Sequence, residues 1–132
     1  MIATTLLPIA AVVLFFAFAV ATIASNGVPM RRGWLVPAAL CLVFLVFSLY
    51  TVAVEGPLGF WANHSLNLWG NQVWFDLLLA IGIGWFFIVP LGRPLGMRLP
   101  IWLLIIISTG CIGFLAMLAR LLYLREARGL RN

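Results

Sequence analysis

A chain of 132 residues in which 65% are hydrophobic and 8% charged lies far from the roughly 25% charge of an ordinary soluble domain. Too few residues lie outside its apolar stretches to bury a separate water-soluble core, which usually takes about 50 residues or more. The net charge of +5 comes from eight arginines and no lysine, set against Glu55, Asp76 and Glu126. Those arginines stand at the ends of apolar stretches, which points to membrane topology and anionic head groups and away from nucleic acid.

Four apolar stretches reach the roughly 18 to 20 residues that span a hydrocarbon core of about 30 Å. They run from Thr5 to Ala24, Trp34 to Val54, Gln72 to Val89 and Ile101 to Leu122. The first lacks the positive leading region of a secretory signal and exceeds its usual apolar length, so it is expected to be retained as a helix. Asn26, Gly27 and Pro29 supply the turn chemistry that ends it. Pro8 and Pro37 fall within the first turns of their helices, where a missing amide hydrogen costs little. Pro90 to Leu99, with Gly92, Pro94 and Gly96, reads as a tight turn, and Pro100 as the start of the fourth helix. The expected fold is an all-α membrane protein: one domain over residues 1–132, a four-transmembrane-helix antiparallel bundle with an aromatic-rich interfacial loop between the second and third helices. Gly82, Gly84, Gly110 and Gly113 are expected to let neighbouring backbones approach. Cys41 and Cys111 fall within apolar segments without metal-ligand spacing, so neither a disulfide nor structural zinc is expected.

Orientation follows from the arginines. Arg31 and Arg32 in the first connection, with Arg93 and Arg98 in the third, contrast with a second connection from Glu55 to Asn71 that has none. This places the first and third connections in the cytoplasm and both termini outside. The C-terminal tail opposes that assignment, because Arg120, Arg125, Arg128 and Arg131 would then accumulate on the outer face.

The polar chemistry is concentrated between Glu55 and Asp76. That stretch holds His64, the only histidine, together with Trp61, Asn67, Trp69, Asn71, Gln72 and Trp74. Such a mixture suits the water-to-lipid boundary, where indole rings keep one end wet. With Asn71 as the cap of the third helix, Asp76 lies about 6 to 8 Å along the axis. A carboxylate facing lipid at full depth costs about 2.5 to 3.5 kcal/mol, so Asp76 should face the bundle. Arg120, near the end of the fourth helix, is the expected ion-pair partner of Asp76 or Glu55. Glu55, Trp61, His64, Asn67, Trp69, Asn71, Gln72, Asp76 and Arg120 are therefore the candidate ligand-binding residues. One histidine without HxxH or HExxH spacing gives no metal site, and no pattern for a cofactor is present.

From Asp76 through Trp85, Leu95-Gly-Met-Arg98, Trp102 and Gly110 to Ala119-Arg-Leu-Leu-Tyr-Leu-Arg-Glu126, the C-terminal half resembles an uncharacterised family of small bacterial membrane proteins, a domain of unknown function. The resemblance implies a multi-pass protein of a bacterial inner membrane with four or fewer helices, and no substrate. The leading functional expectation is an accessory or interaction subunit, with membrane lipids, another membrane protein or a second copy of the chain as partner. The alternative is a binding protein or acid/base enzyme for a lipid-like or isoprenoid-like molecule held near Glu55, His64 and Asp76. A proton or ion pathway through Asp76 ranks last, since no other segment carries a charge at mid-membrane.

Overall fold

The computed structural model describes residues 2–24 and 31–129, with side chains from residue 6 onward. Among them the chain is helical: α1 (Ile2–Ala24), α2 (Leu35–Glu55), α3 (Gly59–Ser65), α4 (Leu68–Gly92), α5 (Leu99–Thr109) and α6 (Cys111–Ala127). Three helical stretches, Leu6–Ala24, Leu35–Glu55 and Leu68–Gly92, are long and apolar enough to cross a bilayer. The chain divides between residues 30 and 31 into two compact units. The first contains α1, an unbroken helix through Pro8. The turn expected at Asn26-Gly27-Val28-Pro29 lies outside the described residues.

The second unit is built around α6. Met117 is fully buried and Leu121 and Ile106 nearly so, and Ile88, Leu95 and Met97 complete the core. Along α2, the Cys41 thiol donates to the Ile112 carbonyl oxygen at 3.4 Å, and Trp34 meets Tyr123 edge-on at 5.6 Å. Rising numbers on one helix against falling numbers on the other make α2 and α6 antiparallel. On α4, a Cβ at Gly84 would lie 2.5 Å from Phe114 Cζ, so glycine there lets the aromatic ring of α6 sit against the α4 backbone.

The expected fourth span is not one helix. Gly110 adopts φ 61°, ψ −127°, a conformation open essentially to glycine alone, and the chain reverses there. A Cβ at Gly113 would lie 2.7 Å from Thr109 Oγ1 and 3.0 Å from the Ile105 carbonyl carbon, whereas an uninterrupted helix would separate residues 105 and 113 by about 12 Å. At the open end, the Arg128 guanidinium donates to the carbonyl oxygens of Pro94 and Leu95 at 3.0 and 3.1 Å. Helices α5 and α6 are thus an antiparallel hairpin. With 11 residues in α5, its reach of about 16 Å is roughly half a hydrocarbon core. The apolar content of 101–122 suggested a crossing, but apolar content is shared by a span and by two short helices packed on each other, and the reversal is decided by Gly110.

Candidate functional site

The segment from Glu55 to Asp76 folds as a short helix leaning on the start of a long one. Asn67, in extended conformation, caps α4: its Oδ1 accepts the Gly70 N–H at 2.8 Å, satisfying one of the free amides of the first turn. This corrects the expected cap at Asn71, which lies inside the helix and donates from Nδ2 to the Asn67 carbonyl oxygen at 3.0 Å. A Cβ at Gly70 would meet the Asn63 carbonyl oxygen at 2.6 Å, so glycine is what allows α3 to close onto α4. The Trp74 ring completes the contact, 5.2 Å from the His64 ring and 5.9 Å from that of Phe60.

The candidate residues do not converge. His64 Nδ1 stands 2.6 Å from the Phe60 carbonyl oxygen; a carbonyl only accepts, so that nitrogen carries the hydrogen and is committed to its own helix. The Glu55 carboxylate is exposed and folds toward Gly59, where a Cβ would lie 3.8 Å from Oε2. Trp61, Trp69, Gln72 and Asp76 are exposed. Among the described residues, no group of three or more His, Cys, Asp or Glu side chains is placed to hold a metal ion. His64, Asn67 and Asn71 thus build local structure.

Asp76 faces away from the bundle, which corrects the expected inward orientation. The inner face of α4 carries Ile81, Gly84, Trp85 and Ile88, partly or fully buried. At 100° per residue, Asp76 projects from the other side, with Leu79, Ile83 and Phe87. Nor does Arg120 pair with it. Helix α6 ends at the turn that follows α4, while Asp76 lies about 24 Å back along α4 from Gly92. The Arg120 guanidinium instead stands 5.7 Å over the Tyr123 ring. The expected pairing assumed that the fourth segment crosses the membrane; the reversal at Gly110 carries Arg120 to the opposite end of α4.

Two features were not singled out from the sequence. The first is a shallow apolar groove of about 400 Å³ on the outward side of α4, lined by Leu78, Leu79, Gly82, Ile83, Phe86 and Phe87. Gly82 is its floor, and a Cβ there would meet nothing within 4 Å. The second is a concentration of arginine. The hairpin brings α6 back to the turn at residues 93–98 through Arg128, and to the entry of α2, where the Arg32 N–H donates to Glu126 Oε1 at 3.2 Å. Arg31, Arg32, Arg93, Arg98, Arg125 and Arg128 therefore share one end of the second unit. The eighth arginine, Arg131, lies outside the described residues. The C-terminal end of α6 consequently lies with the first and third connections, not opposite them, and the conflict between the tail and those connections disappears. The available signal was that conflict itself, together with the small and polar run Ser108-Thr109-Gly110 inside an apolar segment.

Compared with known protein families, curated proteins and solved structures, the chain matches none.

Proposed function

We propose that the chain is a small multi-pass protein of a bacterial inner membrane that acts as an accessory or interaction subunit, receiving a helix of another membrane protein on the outward side of α4. The groove at Gly82 carries this reading. Glycine inside a helix forfeits about 1 kcal/mol relative to alanine. Gly84 has a use for that loss, since it admits Phe114, whereas a Cβ at Gly82 would meet nothing within 4 Å among the described residues of the second unit. Lipid tails conform to any apolar side chain and need no notch. A partner helix needs one, because helices associate in lipid through close packing at small residues. Asp76 adds a second reason on the same side of α4, because a carboxylate turned toward lipid is disfavoured and one turned toward a protein partner can be hydrogen-bonded.

The arginine end faces the cytoplasm in this reading, and the segment of α3 lies at the opposite interface with Trp61 and Trp69 at head-group level. The assignment to a bacterial inner membrane is the expectation that the resemblance of the C-terminal half carries; three helices long and apolar enough to span a bilayer support a membrane location. Acid/base catalysis at Glu55, His64 and Asp76 is not carried forward, because these groups are not gathered at one point.

Photocrosslinking from within the groove tests the proposal. A photoreactive residue at Ile83 should give a discrete protein adduct in the native membrane, lost in Gly82→Leu, while one at Leu49 on α2 should give lipid adducts alone. Lipid adducts from both positions would refute it. A small molecule retained by the wild type and lost in Asp76→Asn would replace it with the ligand-binding reading.

A further inference from the structure

We propose that the arginine end of the second unit is a binding surface for anionic phospholipid head groups. The side chains there divide into those already engaged and those left over. Arg128 spends its guanidinium on Pro94 and Leu95, locking the end of α6 to the turn after α4. Arg120 is engaged by the Tyr123 ring. The acidic residue of this end, Glu126, accepts a backbone N–H from Arg32. Arg31, Arg93 and Arg98 are exposed and Arg125 is half-buried, so their planar forks remain for an external anion, and this fork matches phosphate oxygens in pairs.

The surroundings select the kind of anion. Immediately inside the arginines lies exposed apolar surface, with Leu35, Leu91 and Ile101 each about 45% accessible. A diacyl lipid with a net negative head satisfies both zones at once: phosphate on guanidinium and acyl chain along leucine and isoleucine. A zwitterionic lipid brings its own cation beside the phosphate and loses most of the attraction. An acidic soluble protein would match the charge but not the apolar belt. The reversal at Gly110 adds Arg125 to Arg31, Arg93 and Arg98; a crossing fourth helix would leave those three on one face and carry Arg125 to the other. The inference is independent of the groove at Gly82.

The experiment is native mass spectrometry of the full chain in detergent, titrated with phosphatidylglycerol and phosphatidylcholine of identical acyl chains. The expected result is a preference for phosphatidylglycerol of at least about tenfold, weakening as salt is raised from about 50 to about 500 mM. Each free arginine should contribute on the order of fivefold. The variant Arg31→Gln/Arg93→Gln/Arg98→Gln, which keeps Arg125, should therefore lose most of the preference, down to about fivefold or less, while keeping the wild-type far-ultraviolet circular dichroism. Arg93→Gln alone, a milder change, should lower the preference several-fold. Equal binding of both lipids by the wild type, or a preference indifferent to salt, would overturn the proposal. So would displacement of phosphatidylglycerol by inorganic phosphate beyond the effect of chloride at equal ionic strength, since the surface would then be a site for free phosphate.

Discussion

Replacing Gly110 with alanine has opposite consequences for a hairpin and for a continuous helix. In the hairpin the residue holds φ 61°, ψ −127°, where an L side chain is strained by about 1 to 3 kcal/mol. Apart from the adjoining residues, nothing among the described residues lies within 4 Å of the added Cβ, so the effect is backbone strain and no repacking obscures it. In an uninterrupted helix the same substitution would gain about 1 kcal/mol. The two architectures therefore differ by about 2 to 4 kcal/mol in the expected change, with the sign reversed. Reversible unfolding of the purified protein in mixed micelles, titrated with sodium dodecyl sulfate and followed by tryptophan fluorescence, resolves such a difference. A loss of about 2 kcal/mol is a roughly thirtyfold rise in the unfolding constant. Gly110→Ala that unfolds at the same or a higher detergent fraction than wild type would refute the reversal.

Other substitutions probe the contacts that hold the hairpin and the cap. Gly113→Ala places a methyl 2.7 Å from Thr109 Oγ1 and 2.9 Å from Ile105 Cγ2; the same titration should show a loss of about 1 to 3 kcal/mol from forced separation of the two helices. Gly84→Ala should destabilise through the Phe114 ring and be largely rescued by Phe114→Leu, a coupling that a double-mutant cycle in the same titration would measure. Asn67→Ala removes the cap of α4 and should cost about 1 kcal/mol, with faster amide exchange confined to the first turn at Gly70. Arg128→Gln should release the tail from Pro94 and Leu95, at a loss of about 1 kcal/mol given its exposure, and should raise protease sensitivity after Ala127.

Three of the helices were legible because each is a long apolar run bounded by turn chemistry, and the structure keeps them with boundaries shifted by a few residues. The start of α4 moved from Asn71 to Asn67 because both asparagines have capping chemistry; what decides between them is Gly70, whose missing side chain lets α3 close against the helix one turn earlier. The reversal at Gly110 left only an indirect trace, the conflict between the arginine tail and the other connections, since a glycine is tolerated inside a membrane helix and also permits a turn. Its conformation depends on the packing of Ile105 on Gly113 and of Met117 in the core, contacts that no local pattern specifies. Misplacing that one residue sent Arg120 to the wrong end of the bundle and paired it with Asp76. Asn67, Asn71 and His64 were read as polar groups available to a ligand because hydrogen bonds to their own backbone leave no trace in sequence.

The most direct measurement is the relative sidedness of three positions, in a background where Cys41 and Cys111 are replaced by serine. Single cysteines at Leu58, Arg93 and Gly129 would be labelled with a membrane-impermeant maleimide in intact cells and in inverted vesicles. The hairpin predicts that positions 93 and 129 label from the same side and position 58 from the other, whichever way the protein is inserted. Labelling of position 129 together with position 58 would mean that the fourth apolar segment crosses the membrane, and the grouping of the arginines at one end would fall with it.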